Sequence, residues 1–160
     1  MSGDFAVIGL GQFGRAVALS LVREGAAVLA IDQLQERAQM VEAEVDAVAC
    51  ADATNELALE ELGLERMSCV VVAMGARARE TSILTTALLR QRGIPRIISR
   101  AANELHGRVL LTSHDAGAPF SMIRGICGVG VSDAMTDGQA DALATLLQRT
   151  RAVVDRIGDL

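Results

Sequence analysis

The sequence predicts an α/β fold built around a doubly wound parallel sheet. Over the first 100 residues, short apolar segments alternate with amphipathic ones, which is the pattern of successive βαβ units. A G-x-G-x-x-G motif follows the first apolar segment, and an acidic residue ends the second, as in Rossmann-like folds. Right-handed crossovers then give the strand order 3-2-1-4-5, with room for a sixth strand, helices on both faces and a C-terminal helix.

The five predicted strands are short and rich in Val, Ala and Ile, as expected for strands covered by helices on both faces. They span Phe5–Gly9, Ala27–Asp32, Asp46–Cys50, Ser68–Met74 and Arg96–Ser99. The predicted helices span Gln12–Glu24, Leu34–Ala43, Asn55–Leu62, Arg79–Arg92 and Asn103–Leu111. Asn55 is expected to cap its helix, and Gly25, Gly63 and Gly93 are expected to end three of the helices.

The regular alternation ends after residue 111. Residues 112–130 contain several glycines and are predicted to form a loop, with one strand near Ile126–Val131. A helix is predicted over about residues 137–157, because a capping box starts at Thr136 and apolar residues then recur every three or four positions.

Composition and charge exclude several classes of protein. A net charge of −5 and an aromatic content of 2% argue against a nucleic-acid binder, which needs basic surfaces and stacking side chains. Although 51% of the residues are hydrophobic, no uncharged apolar run approaches the roughly 20 residues of a spanning helix. Cys50, Cys69 and Cys127 form neither a metal motif nor a disulfide framework, so we expect a cytoplasmic protein with the first two cysteines in the core.

The glycine motif, Gly9-Leu10-Gly11-Gln12-Phe13-Gly14, lies between a predicted strand and a predicted helix, which is the context that a nucleotide-binding turn requires. Gly9 allows the tight turn, Gly11 lets a phosphate approach the backbone, and Gly14 lets the helix pack on the strand. The N–H groups at the start of the helix would bind the phosphate. The alternative is that the glycines only form a tight turn.

Acidic and basic residues are predicted at the same edge of the sheet. Asp32 ends the second strand, where its carboxylate could bind the ribose hydroxyls and would repel a 2′-phosphate, so that NADP is disfavoured. The alternative is that Asp32 caps the next helix. Asp52 is a second candidate near the adenosine, or else a loop or cap residue. Arg100 follows the fifth strand and could reach a phosphate or lie on the surface, whereas Arg15 is expected to face solvent.

Catalytic machinery is not evident in the sequence. The two histidines are His106, on a predicted surface helix, and His114, in the irregular segment, and we expect both to be structural or solvated. No arrangement of nucleophile, base and acid stands out, so we expect that the chain is not an enzyme. The alternative is an NAD-dependent oxidoreductase or a fragment of one, which would share the glycine motif and Asp32.

The segments FAVIGLGQFGRAVA, VLAID, ADAT, VVVAMG, ETSILTTALL and ANELHGRVL occur in the order found in KTN/RCK domains. Residues 5–111 thus resemble the regulatory nucleotide-binding domains of Trk and Ktr potassium uptake systems. The resemblance implies a cytosolic gating subunit, peripheral to the inner face of the membrane. It also implies binding of ATP, ADP or NAD(H), dimers or rings of this chain, and a membrane-embedded potassium transporter as partner.

The resemblance also assigns residues. The phosphate turn is formed by the three glycines, Asp32 binds the ribose, and the ADAT segment lies near the base or ribose. The full set of expected nucleotide-binding residues is Gly9, Gly11, Gln12, Phe13, Gly14, Asp32, Asp52, Ala53 and Arg100. Gln12 stands where several family members have an arginine. We expect residues 1–111 to form the nucleotide-binding core, and residues 112–160 to complete the domain or form a dimer interface.

Overall fold

The computed structural model describes residues 4–94, 96–112 and 120–122, and these residues form a doubly wound α/β fold. Their six strands are all parallel, in the order β3-β2-β1-β4-β5-β6. The strands are β1 (Asp4–Ile8), β2 (Ala27–Asp32), β3 (Ala47–Cys50), β4 (Cys69–Val72), β5 (Ile97–Ser99) and β6 (Phe120–Met122). The helices are α1 (Gln12–Arg23), α2 (Gln35–Gln39), α3 (Glu56–Leu62), α4 (Arg79–Gln91) and α5 (Glu104–Thr112).

The sheet is apolar on both faces because helices cover both of them. Alternate residues of β1 enter different cores: Phe5 and Val7 pack with α1, whereas Ala6 and Ile8 pack with residues of α3 and α4. This two-sided burial accounts for the continuous apolar runs of the strands. Among the described residues, none of the helices has the length and apolar character needed to cross a lipid bilayer.

The predicted strand order is confirmed, and the predicted element bounds agree to within two residues in most cases. Two differences stand out. Helix α2 is shorter than predicted, because the chain leaves the helix after Gln39 and continues in turns. Strand β6 lies in a segment predicted as loop; it is a sixth strand, paired with β5. The strand predicted near residues 126–131 and the helix predicted near 137–157 lie outside the described residues.

Helix α3 is capped and ended by the residues that the sequence predicts. The side chain of Asn55 accepts hydrogen bonds from the N–H groups of Leu57 and Ala58, at 3.0 and 3.3 Å, and so caps α3. Gly63 ends the same helix with φ of 60°, a left-handed conformation that residues other than glycine rarely adopt. Both residues were predicted for these positions.

Among the described residues, the predictions about cysteine and histidine side chains are confirmed except for Cys50. Cys50 is exposed rather than part of the core, because it ends the edge strand β3; its thiol donates to the carbonyl oxygen of Gln33 at 3.4 Å. His106 lies on a surface helix, as predicted, with Glu104 and Leu105 exposed; its own side chain is buried against the domain, which agrees with the structural alternative rather than the solvated one. Cys69 is buried as predicted, whereas Cys127 and His114 lie outside the described residues.

The strand-to-helix turn after β1 depends on close contact between two backbone segments. Gly9 has φ of 93°, and a Cβ added to Gly14 would overlap the carbonyl group of Gly9 and come within 3.1 Å of the Cβ of Ala73. Helix α1 can therefore reach this position only with glycine at residue 14.

We expect Gly14→Ala to lower the free energy of unfolding by at least about 2 kcal/mol, because the new methyl group meets backbone that cannot move away. In an unconstrained helix the same substitution would add up to ~1 kcal/mol of stability. Gly75→Ala is the control, since its Cβ would meet nothing within 4 Å and its φ is −75°. Urea denaturation measures both. Equal stability of the two variants would contradict the close contact.

Candidate functional site

The glycine-rich turn leaves open space in front of α1. The first bond within the helix runs from the N–H of Arg15 to the carbonyl of Gly11, at 2.9 Å, so the N–H groups of residues 12–14 have no partner within the helix. A Cβ added to Gly11 would meet nothing within 4 Å. The first turn of α1 contains no acidic residue that would compete for these donors. This arrangement suits an anion, which would be bound by backbone N–H groups and the helix dipole.

Asp32 lies next to this turn, and its carboxylate is almost fully buried, with 5% of the residue exposed. Oδ2 accepts a hydrogen bond from the N–H of Leu10, in the glycine motif, at 2.7 Å. Oδ1 accepts one from the N–H of Leu34, at the start of α2, at 2.8 Å. Asp32 does not cap α2, because the N-cap of that helix is Leu34 and no side chain caps it. The carboxylate instead connects the glycine-rich turn with the segment that leads into α2.

A cation that sequence reasoning missed lies beside this carboxylate. Nη1 of Arg37 is 3.7 Å from Oδ2 of Asp32, and 49% of the arginine side chain is exposed. The available signal was its position close to Asp32 in the sequence, on the helix predicted after the second strand. Arg37 presents the more accessible charge of the pair.

Arg100 and Phe13 are in contact, although they are far apart in the sequence. The guanidinium carbon of Arg100 lies 4.7 Å from the centroid of the Phe13 ring, a cation–π distance. The backbone N–H of Arg100 donates to the carbonyl of Val72 at 2.9 Å, which fixes the residue beside the end of β4. Its Nε is buried and has no hydrogen-bond partner among the described residues. The ring therefore holds a cation near the start of α1.

The ADAT segment follows β3, and Asp52 within it is exposed. Oδ1 of Asp52 accepts hydrogen bonds from the hydroxyl and the N–H of Thr54, at 2.7 and 2.9 Å, and these bonds lower the pKa of the carboxyl group. Ala53 is buried in the core. The N–H of Ala51 donates to the carbonyl of Asp32 at 3.1 Å, so the segment starts beside the end of β2.

The predicted site residues therefore gather at the carboxyl edge of the sheet. Direct contacts connect the glycine motif with Asp32, and Phe13 with Arg100. Gln12 is exposed at the first position of α1. Arg15 is half-exposed, with Nη2 at 3.7 Å from a carboxylate oxygen of Glu44, in agreement with the expectation that it faces solvent.

His106 has a structural environment rather than a catalytic one. Its Nδ1 accepts a hydrogen bond from the N–H of Ala102 at 3.1 Å, and its own N–H donates to the side chain of Asn103 at 2.8 Å. Nε2 is buried and has no hydrogen-bond partner among the described residues. Burial, and secondarily the charge of Arg79, lower the pKa of His106. The fold therefore favours the neutral imidazole.

Comparison with known proteins identifies the family. The TrkA-N domain family matches residues 5–120, well over half of the chain. The chain belongs to the TrkA-N domain family. The family match confirms the resemblance found in the sequence, and it extends from β1 to the first residue of β6 in this TrkA-N domain.

Several proteins are similar to this TrkA-N domain. Ktr system potassium uptake protein A of Bacillus subtilis is 41% identical over 107 residues, which cover 67% of the chain and 48% of that protein. The chain spans about half the length of the curated relatives it matches.

Two solved structures share the fold. The TrkA-N domain of the inner membrane protein ybaL from Escherichia coli has a TM-score of 0.64 at 16% identity, over 78% of this chain and 89% of that one. The GsuK channel bound to NAD has a TM-score of 0.60 at 14% identity, over 71% of this chain and 20% of the channel chain.

We expect Asp32→Asn to lower the free energy of unfolding by about 1–3 kcal/mol without added nucleotide, because an amide cannot accept from both Leu10 and Leu34. Asp46→Asn is the control: Asp46 accepts one bond, from the N–H of Val28 at 2.8 Å, and is exposed. We expect this control to cost less than 1 kcal/mol by the same urea titration. An Asp32 variant as stable as the wild type would show that the carboxylate is not needed to hold the two loops.

We expect the stability of the domain to fall as the pH drops below about 6.5, because unfolding then lets His106 bind a proton that the folded state resists. A histidine with a lowered folded pKa contributes stability above its unfolded pKa and loses it in acid. His106→Asn keeps an acceptor for Ala102 but does not titrate in this range. Between pH 7.5 and 5.5 the wild type should lose more stability than the variant. Parallel pH profiles in chemical denaturation would contradict this assignment.

Proposed function

We propose that this TrkA-N domain is a nucleotide-sensing regulatory domain of a potassium transporter. The observation that carries the proposal is the open glycine-rich turn in front of α1, which Asp32 borders on one side and Arg100 on the other. An adenosine nucleotide such as ATP, ADP or NAD(H) would place its phosphates at this turn.

Each part of the site has a separate role in this proposal. The N–H groups of α1 and the guanidinium of Arg100 bind the phosphates, and the ring of Phe13 keeps that guanidinium in place. Asp32 fixes the turn and lies at the ribose, while Asp52 and Ala53 border the base or ribose. Gln12 is a neutral group at the phosphate end, so charge recognition there depends on Arg100.

The proposed partner is a membrane-embedded potassium transporter subunit. Support comes from the relative named as a potassium uptake protein and from the channel that was solved with NAD bound. We propose a cytosolic domain that acts as a dimer or in a larger ring. Residues 1–111 would form the nucleotide-binding core. Strand β6 belongs to residues 112–160 and pairs with β5 of the core. This pairing supports the alternative in which residues 112–160 complete the domain.

Regulation in this proposal is a shift between two conformations of the assembly. A nucleotide can shift the equilibrium only if it binds one conformation more tightly than the other. A bound nucleotide could act in this way because the site is formed by different parts of the fold. These parts are the glycine-rich turn, the start of α2 and the end of β5.

We propose that the domain is not an enzyme. The alternative, an NAD-dependent oxidoreductase, would share the glycine motif, but the described histidine, His106, is bonded to Ala102 and buried. Hydride transfer from NADH to any small carbonyl compound, followed by absorbance, would favour the oxidoreductase instead.

The decisive experiment is titration of the purified chain with ATP, ADP, NAD⁺ and NADH by calorimetry, in parallel with Gly11→Ala. We expect at least one nucleotide to bind, and the variant to bind it at least tenfold more weakly, because its methyl group enters the space of the phosphate. The fold should be retained, since Gly11 has φ of −64° and its Cβ would meet no protein atom within 4 Å.

Two results would contradict the proposal. One is the absence of binding by all four nucleotides at ~1 mM, a concentration at which even a weak specific site is occupied. The other is equal affinity in Gly11→Ala, which would place the nucleotide elsewhere. Light scattering of the same samples gives the mass of the native assembly with and without nucleotide, and a mass that stays monomeric would contradict the ring.

A further inference from the structure

The ribose end of the site presents a positive charge to solvent. Asp32 is 5% exposed, whereas the side chain of Arg37, 3.7 Å away, is half-exposed. A ligand that approaches the end of β2 therefore meets a guanidinium before it meets a carboxylate.

The carboxylate of Asp32 is already engaged on both oxygens. Oδ2 accepts from Leu10 and Oδ1 accepts from Leu34, both through backbone N–H groups. These two donors stabilise the negative charge inside the fold and leave fewer lone pairs for ribose hydroxyls. The repulsion that a free carboxylate would exert on a 2′-phosphate is correspondingly reduced.

The position of Arg37 is fixed by the same carboxylate. Asp32 holds the N–H of Leu34, and the carbonyl of Leu34 accepts the N–H of Arg37 at 3.0 Å in the first turn of α2. Ala38, the next residue, is buried and anchors the helix to the core. Glu36, also exposed, is a neighbouring negative charge on the same helix. The backbone at residue 37 is therefore fixed, while its side chain stays accessible.

We propose that Arg37 determines nucleotide specificity by binding a 2′-phosphate on the adenosine ribose, so that the site accepts NADP(H) as well as NAD(H). This rests on the proposed nucleotide-binding function. A guanidinium binds phosphate through two parallel hydrogen bonds. Because Nη1 of Arg37 lies 3.7 Å from Oδ2 of Asp32 and half of the arginine side chain is exposed, the guanidinium can bind a phosphate on its solvent side while it stays beside the buried carboxylate. The proposal replaces the expectation, drawn from Asp32 alone, that NADP is disfavoured.

The test compares NAD⁺ with NADP⁺, which differ only in the 2′-phosphate, on the full chain by calorimetry, with ADP as a reference. The variants are Arg37→Gln and, as a matched control, Arg108→Gln; Arg108 is another exposed helical arginine paired with a carboxylate, Glu104, at 2.8 Å. We expect the wild type to bind NADP⁺ no more than threefold more weakly than NAD⁺. Arg37→Gln should weaken NADP⁺ by about tenfold to a hundredfold and change NAD⁺ by less than threefold. Arg108→Gln should change neither.

The outcomes separate the two proposals. Wild-type binding of NAD⁺ or ADP together with a tenfold or greater preference against NADP⁺ overturns the role of Arg37 and leaves the nucleotide site intact. If Arg37→Gln lowers the affinity for NAD⁺ and for NADP⁺ equally, the role of Arg37 is also overturned, because the arginine would then not bind the 2′-phosphate. If none of the three nucleotides binds, both the proposed nucleotide-binding function and the proposed role of Arg37 are contradicted.

Discussion

The candidate site depends on the buried carboxylate of Asp32. This one side chain accepts the N–H of Leu10 in the glycine-rich turn and the N–H of Leu34 at the start of α2, and it lies beside Arg37. A carboxylate suits this place because two backbone donors converge on it, and a buried anion needs such donors to offset its loss of hydration. Asp32 therefore connects the turn and the start of the second helix through these two hydrogen bonds.

The turn that Asp32 holds is shaped by the contact of Gly14 with Gly9. This contact brings the start of α1 close to the edge of the sheet, where its N–H groups face open space. The net charge of −5 does not argue against the proposed phosphate site, because the helix N-terminus acts locally and the general charge is screened over about 8 Å in physiological salt. Arg100, held on Phe13, and Arg37 add positive charge at the two ends of the same edge.

Much of the site was predictable because it belongs to strand ends. In a parallel sheet the carboxyl ends of all strands lie at one edge, so Gly9, Asp32 and Arg100 had to lie along the same edge once the strands were recognised. The pairing of Arg100 with Phe13 was not predictable, because it depends on side-chain direction across two elements. The exposure of Cys50 was mispredicted, and the choice between a structural and a solvated His106 stayed open, for a similar reason: burial on a helix face, or exposure at an edge strand, depends on what packs against it.

The amino-acid sequence alone determined the strand order, the place of the glycine-rich turn, the caps of α3 and membership of the TrkA-N family. These features follow from local periodicity, from the conformations that glycine and asparagine favour, and from ordered motifs, all of which are written in contiguous residues. The tertiary structure decided that each oxygen of Asp32 accepts from a backbone N–H group and that Arg37 carries the accessible charge. That outcome depends on how closely β1, β2 and α2 approach one another, and such distances are set by packing across the whole domain.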